Sequence, residues 1–160
     1  MAKFQFKGVD EYVAKLKKLT GDPRETIGVA IYAGADIVAD RVRAEISGLP
    51  VGNEYARNGQ KISTITAAQK AGLLAGFGIA RMRQDGTAYN VKLGFEGYNS
   101  QKTKNFPSGQ PNAMIARSIV AGTSFRNRND FVRRAANSVR GAAEKAMEAK
   151  LDEAINRIMN

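Results

Sequence analysis

Apolar side chains recur at every third or fourth position over two long stretches of the chain, a spacing that predicts two long amphipathic α-helices. The first is predicted to begin at Asp22 and Pro23, with Glu25 placed to complete a capping box, and to end at Gly48 and Pro50. Its apolar face contains Ile27, Ile31, Gly34, Val38 and Val42. Small residues on the same helix would let a second helix approach closely: Ala30, Ala33, Gly34, Ala35 and Ala39.

The second long helix, predicted over about residues 129–159, has two apolar stripes. The first contains Phe131, Ala135, Val139, Ala142 and Ala146, and the second contains Met147, Leu151, Ala154, Ile155 and Ile158. The stripes are rotated by roughly 140° from each other. Three explanations are open: a bend at Gly141, a second half that meets another copy of the chain, or terminal turns that wrap around the same core. We take the second stripe as a candidate protein interface, carried by Met147, Leu151, Ile155 and Ile158.

Period-two alternation predicts a small amount of β-structure. One strand is predicted over 3–7, where polar and aromatic residues alternate. Asp85 and Gly86 form a strong hairpin signal inside a hairpin that spans about 78–96. The returning strand has an apolar face formed by Tyr89, Val91, Leu93 and Phe95.

Three shorter helices complete the prediction, over about 10–21, 66–76 and 113–120. The middle one has a modest apolar face made of Ala67, Ala71, Leu74 and Ala75. The predicted fold class is therefore α+β, with a small antiparallel sheet packed against helices and a long C-terminal helix. A chain of 160 residues with 43% hydrophobic content is enough for one ordinary domain, which we place over 1–160.

Two polar, turn-rich segments, 50–63 and 97–111, are predicted as loops. Loops this long are typically functional or disordered.

The composition weakens the hypothesis of an enzyme but does not exclude it, because carboxylates and Lys can also catalyse reactions. The chain has no Cys and no His, which removes disulfides, thiolate metal sites, the commonest metal ligand and the commonest general base. Carboxylates share a helix face at Asp36 and Asp40 and at Glu144 and Glu148, but no further acid or base lies near them in sequence. We therefore predict no enzymatic activity, no cofactor and no metal site. No apolar run spans a bilayer and no signal-peptide pattern occurs, so we expect a protein made in the cytoplasm without a membrane partner.

The formal net charge of +10 is concentrated in one segment. Residues 97–134 hold seven basic side chains and one acidic one, whereas 135–160 is balanced. The candidate functional cations are Lys102, Lys104, Arg126, Arg128, Arg133 and Arg134. The arginines surround the start of a helix, where positive charge is unfavourable, so we expect external partners for them. Three alternatives are open: a solvated basic surface, a protein interface, or a site for nucleic-acid phosphates.

Three stretches carry a resemblance to a known family: "GLPVGNE" at 48–54, "GFEGYNS" at 94–100, and "PNAMIARSIVAGTSFRNRNDFVRRAANSVRGAAEKAM" at 111–147. Together they resemble the small phage morphogenesis proteins known as neck or tail-completion proteins, encoded between connector and major tail genes. The motif positions are occupied by Leu49-Pro50-Val51, Gly122-Thr123-Ser124 and Asp130-Phe131-Val132-Arg133. Two departures are Ala113 to Arg117, where many relatives have a tyrosine and a glutamate, and Asn129-Asp130, which replaces the usual proline. The resemblance covers about residues 24–150.

This resemblance implies a non-enzymatic part of the virion at the head–tail junction, present in the host cytoplasm during assembly. Identical subunits, which we expect to number six, would form a ring around the DNA channel and join the adjacent connector and tail proteins. The arginines and the loop that carries Lys102 and Lys104 would face an acidic partner ring or the passing viral DNA. The competing hypothesis is a small basic nucleic-acid-binding protein.

Overall fold

The computed structural model describes residues 2–4, 13, 14, 17 and 23–159. These residues contain four α-helices of ten or more residues and four strands. In chain order they are β1 (Ala2–Phe4), α1 (Arg24–Ser47), α2 (Ala67–Gly76), β2 (Phe77–Ile79), β3 (Arg83–Asp85), β4 (Ala88–Phe95), α3 (Asn112–Ala121) and α4 (Phe131–Met159). The predicted α+β class is confirmed, with a small antiparallel sheet and a long C-terminal helix.

Strand β4 lies at the centre of the sheet, between β1 and β2, and also pairs with β3. Ala2 is opposite Leu93 in the β1–β4 pair, and Arg83 is opposite Asn90 in the β3–β4 pair. Both pairs are antiparallel. Gly86 has a φ of 62°, which glycine adopts without the steric cost of a side chain, and it closes the predicted hairpin.

Two N-terminal predictions fall largely outside the described residues. The strand predicted over 3–7 corresponds to β1 at residues 3 and 4, and residues 5–7 lie outside. Of the helix predicted over 10–21, residues 13, 14 and 17 are described and helical, and Val13 is buried.

Internal contacts divide the chain into two compact units. Unit 1 consists of Met1–Ala39, Ile79–Leu93 and Ser138–Asn160, and unit 2 consists of Asp40–Gly78 and Gly94–Asn137. The division runs through α1, β2, β4 and α4 rather than through a linker. The expectation of a single domain over 1–160 stays a prediction.

The predicted apolar face of α1 is confirmed by burial. Each of its branched aliphatic members, Ile27, Ile31, Val38 and Val42, is at most 2% exposed. In unit 1 the close approach of a second helix occurs at Gly34, where α4 packs. A β-carbon at Gly34 would lie 2.7 Å from Met147 Cγ and 3.2 Å from the Ala143 carbonyl oxygen. Glycine is therefore needed at this position for the two helices to pack at this distance.

The second stripe of α4 is core, so the prediction that it forms a free protein interface is wrong for Met147 and Leu151. These side chains are 3% and 2% exposed. Ile155 is half-buried, and the side chain of Ile158 lies outside the described residues. The buried residues of α4 fall on one row at a spacing of four, which also includes two half-buried residues, Val139 and Ile155: Phe131, Ala135, Ala143, Met147 and Leu151.

A row at spacing four explains why the sequence shows two stripes. Each step of four residues turns by about 40° beyond a full turn, so the buried face moves steadily around a straight helix. Phe131 and Ala135 are buried in unit 2, and Ala143, Met147 and Leu151 are buried in unit 1. Gly141 lies inside the continuous helix and is exposed. Ala143, which neither predicted stripe contained, is buried and lies between the two stripes on the row at a spacing of four.

The Gly34 packing predicts opposite effects for two glycine-to-alanine changes. Gly141→Ala is expected to stabilise the protein by about 0.5–1 kcal/mol, because alanine has the higher helix propensity and the position is open. At Gly34 the same gain is opposed by overpacking, which costs about 1–3 kcal/mol. Urea denaturation should therefore show Gly34→Ala to be less stable than Gly141→Ala by about 1–3 kcal/mol. Equal free energies of unfolding for the two variants would contradict the close helix approach.

The core of unit 2 contains a chain of aromatic rings. The ring centroids of Phe77 and Phe95 are 5.0 Å apart, and those of Phe95 and Phe131 are 6.4 Å apart in an edge-to-face arrangement. The guanidinium of Arg43 lies 5.6 Å from the Phe77 ring centroid. Phe131, at the start of α4, is fully buried and fixes that helix end in unit 2.

The predicted apolar face of α2 is wrong. Ala67, Ala71 and Ala75 are exposed, and the buried residues are Gln69, Gly72 and Leu73. The buried side includes the polar Gln69 and approaches Asn99 and Asn112 at Gly72, so a hydrophobicity pattern does not reveal it. A β-carbon at Gly72 would lie 2.3 Å from Asn99 Cβ, which shows how closely α2 approaches these asparagines.

Candidate interaction surface

The 97–111 loop is ordered by its own backbone. Asn99 N–H donates to the Gln110 carbonyl at 2.9 Å, and Asn112 N–H donates to the Gly97 carbonyl at 3.0 Å. Further out, Thr103 and Phe106 exchange two backbone hydrogen bonds of 3.1 Å. The loop therefore folds back on itself as an irregular ladder, and its two candidate cations, Lys102 and Lys104, are exposed near the far end.

Buried amides hold the base of this loop against α2. Asn112 Nδ2 donates to the Glu96 carbonyl at 2.8 Å, and Gln69 Nε2 donates to Gln110 Oε1 at 2.7 Å. Gln69 also forms a capping box with Thr66, which fixes the start of α2. Sequence reasoning missed these residues, although the Thr66-x-x-Gln69 spacing is a capping-box signal. Asn99 and Asn112 carry no comparable signal.

The 122–130 segment, which contains the Gly-Thr turn and two of the arginines, lies along residues 61–64. Ile62 N–H donates to the Phe125 carbonyl, and Asn127 N–H donates to the Ile62 carbonyl, each at 2.9 Å. Gly122 has a φ of 74°, and Thr123 N–H then donates to the Arg126 carbonyl at 3.0 Å. The turn therefore sets the path of the backbone that carries the arginines.

Arg126 lies in the interior of unit 2, so the expectation that it is an outward-facing docking residue is corrected. Its side chain is buried, and an Nη donates to the Thr64 carbonyl at 2.5 Å. The buried Nε has no hydrogen-bond partner among the described residues. Burial lowers the pKa of Arg126 from its ordinary value, because desolvation disfavours the charged form.

Arg134 and Arg128 have acidic partners within unit 2, but their side chains are 56% and 64% exposed, and the expectation of external partners stays a prediction. Arg134 contacts one oxygen of Glu45 through Nη2 at 2.7 Å and Nε at 3.2 Å. Arg41 binds the other oxygen of Glu45 at 2.8 Å. Arg128 pairs with Asp130 at 3.2 Å. Glu45 offsets the positive charge at the start of α4 that seemed unfavourable in the sequence.

Arg133 is the remaining candidate of the arginine group. Its side chain is exposed in the first turns of α4. Of the six candidate cations, Arg126 is buried, whereas Lys102, Lys104, Arg128, Arg133 and Arg134 are exposed.

The hydrogen bond from Arg134 holds the pKa of Glu45 below its ordinary value, assisted by the charges of Arg134 and Arg41 and opposed by desolvation. A carboxyl whose pKa is lowered by folding contributes stability above its unfolded pKa, and that contribution is lost as the pH falls through the folded pKa. Glu45→Gln is therefore expected to lower the free energy of unfolding by about 1 kcal/mol at neutral pH. The difference from the unmodified protein should vanish below the folded pKa.

Asp40→Asn is the matched control for this measurement, because Asp40 also pairs with an arginine but its side chain is 79% exposed. We expect a smaller loss than for Glu45→Gln. A loss at Glu45 that persists at low pH in urea titrations would mean that the ion pairs are not its cause.

A groove of about 310 Å³ lies beside the 122–130 segment in unit 2. We call it the Arg126 groove. Its lining includes Lys61, Thr123, Ser124, Arg126 and Arg128. Arg126 is the only one of these five that is buried, whereas Lys61, Ser124 and Arg128 are exposed.

Large apolar side chains are also exposed on unit 2. Tyr55 is 81% exposed, Tyr98 72%, Val51 50%, Phe125 49% and Met114 36%. Tyr98 is at the base of the 97–111 loop, and Phe125 adjoins Arg126 in the chain. Unit 2 therefore presents aromatic side chains together with cations.

Among the described residues, no group of three or more Asp or Glu side chains is arranged to hold a metal ion. None of the helices in the same residues is long and apolar enough to cross a membrane. No protein-family model, no curated protein and no solved structure matches the chain.

Proposed function

We propose that the protein is a structural subunit of the phage head–tail junction. In this role it assembles into a homo-oligomeric ring, a hexamer, that joins the connector to the tail around the DNA channel. The proposal is supported by the resemblance over residues 24–150. The observation that carries it is the surface of unit 2, where exposed aromatic side chains lie on a strongly basic unit.

The charge of the chain is unevenly divided. Unit 2 has twelve Lys or Arg residues and five Asp or Glu residues, a formal net charge of +7. Unit 1 has thirteen basic and ten acidic residues, a formal net charge of +3. Aromatic residues, Met and Arg are enriched in protein interfaces relative to other surfaces. The exposed Tyr55, Tyr98, Met114 and Phe125 of unit 2 have this composition.

A closed ring requires two different patches on each subunit that meet each other. The buried stripe of α4 is unavailable as one of them. We assign one contact surface to the 97–111 loop with Tyr98, Lys102 and Lys104, and expect it to meet an acidic surface. Arg133 is a further exposed cation of this basic unit.

Assembly is tested by light scattering and electron microscopy on the full-length protein, alone and mixed with the products of the neighbouring connector and tail genes. We expect a closed ring with six times the chain mass of 17.3 kDa. Lys102→Glu with Lys104→Glu should weaken attachment, and Arg81→Glu with Arg83→Glu should not. The control pair carries the same charge change on exposed residues of unit 1. A protein that remains monomeric in the presence of the neighbouring connector and tail proteins would contradict the proposal.

The charge of +7 on unit 2 also favours a second candidate, a small basic nucleic-acid-binding protein. Duplex DNA binding through several phosphate contacts weakens about tenfold or more between low and moderate salt. Titration of the monomer with duplex DNA at two salt concentrations separates the two functions. The ring proposal predicts weak affinity, whereas tight, steeply salt-dependent binding supports the second candidate.

A further inference from the structure

The most buried of the four candidate arginines is the one without an acidic partner. Arg126 is 6% exposed, and no acid in the described part of the chain forms an ion pair with it. Arg134 and Arg128 are paired with Glu45 and Asp130. Among the described residues, the Arg126 side chain donates one hydrogen bond, to the neutral Thr64 carbonyl. Its buried Nε has no hydrogen-bond partner there.

An uncompensated buried guanidinium is unfavourable, because desolvation of the charge is not offset by an opposite charge. An anion bound close to it would offset this cost. Arg126 lines the Arg126 groove together with the cations of Lys61 and Arg128 and the hydroxyls of Thr123 and Ser124. These groups together form a donor set for an oxyanion.

We infer that the Arg126 groove binds a carboxylate presented by an acidic segment of a neighbouring protein in the assembly. The inference rests on the function proposed above and names the chemistry of one partner. Guanidinium groups bind planar carboxylates through two parallel hydrogen bonds, for which Arg126 retains free donors. The segment's remaining contacts fall on Phe125, which is next to Arg126 and 49% exposed.

The recessed position of Arg126 favours a side-chain carboxylate over a nucleic-acid phosphate. A phosphodiester is flanked by sugars on both sides and contacts cations that extend to the surface, whereas an Asp or Glu side chain reaches into a groove of about 310 Å³. Lys61 and Arg128 are exposed and would suit either anion. Arg126, which is buried, distinguishes the two.

The test uses the full-length protein labelled with ¹⁵N, titrated at constant ionic strength with three probes: an oligoglutamate peptide, inorganic phosphate and a short DNA duplex. The peptide is expected to shift the Arg126 Nε–H resonance. Arg126→Gln should weaken peptide binding by about tenfold or more. Arg133→Gln, which removes the same charge from an exposed position outside the groove lining, should change it by less than about twofold.

A second variant tests peptide binding if Arg126→Gln does not fold. Lys61→Gln with Ser124→Ala changes two exposed lining residues and should weaken peptide binding while the fold persists. An unmoved Arg126 resonance in the unmodified protein overturns the inference, and so does a stronger response to phosphate or to the duplex than to the peptide. If the protein forms rings but the peptide does not bind at Arg126, the carboxylate site is contradicted and the ring function is not. Peptide binding at Arg126 in a protein that never assembles establishes the site and removes the ring function.

Discussion

Phe131→Ala is expected to lower the free energy of unfolding by about 3–5 kcal/mol, a large part of the stability of a typical domain. Phe131 is fully buried and its ring packs edge-to-face on Phe95, 6.4 Å between centroids. Truncation removes this contact and leaves a cavity at the point where α4 begins. The measurement is equilibrium denaturation in urea, followed by far-ultraviolet circular dichroism.

Phe125→Ala is the matched control, because Phe125 lies six positions earlier in the same arginine-rich stretch but is 49% exposed. We expect a change within about 0.5 kcal/mol. Equal losses for the two variants would contradict the assignment of Phe131 to the core and Phe125 to the surface.

Leu151→Asp is expected to lower the free energy of unfolding by more than about 4 kcal/mol and to leave little folded protein. The change removes a side chain that is 2% exposed and places an unpaired carboxylate in its position. An interface residue would behave differently, since a charge there would separate subunits but leave each one folded. Circular dichroism and gel filtration of the purified variant distinguish the two results.

Ala149→Asp introduces the same charge two positions away on the exposed side of α4. Its stability should remain within about 0.5 kcal/mol of the unmodified protein. A folded, monomeric Leu151→Asp variant would show that the end of α4 is an interface after all.

The main elements of the fold follow from local sequence signals. The apolar spacing of α1, the Asp85-Gly86 turn and the short helix α3 were all predictable, because each depends on residues close together in the chain. The two predicted stripes of α4 match its buried residues only in part, since Phe131, Ala135, Met147 and Leu151 are buried but Ala142 is exposed. Sequence spacing alone does not distinguish two separate faces from one row at a spacing of four that includes Ala143.

The candidate site was less predictable, because its contacts join residues far apart in sequence. Glu45 and Arg134 are 89 positions apart, and Arg126 and Thr64 are 62 apart. The four arginines look equivalent as a sequence cluster. Only the fold separates Arg134, which is paired, from Arg126, which is buried, and Arg133, which is exposed. The polar side of α2 escaped prediction for a related reason, since Gln69 is buried by hydrogen bonding and not by hydrophobicity.

The proposal that this chain is a ring-forming part of a phage head–tail junction is tested most directly on purified phage particles whose genome contains its gene. Mass spectrometry counts the copies of the chain per particle, and electron cryo-microscopy locates them. We predict a fixed copy number of six, arranged as a ring around the DNA channel between head and tail. Complete, infectious particles that lack the chain would contradict its proposed role at the head–tail junction.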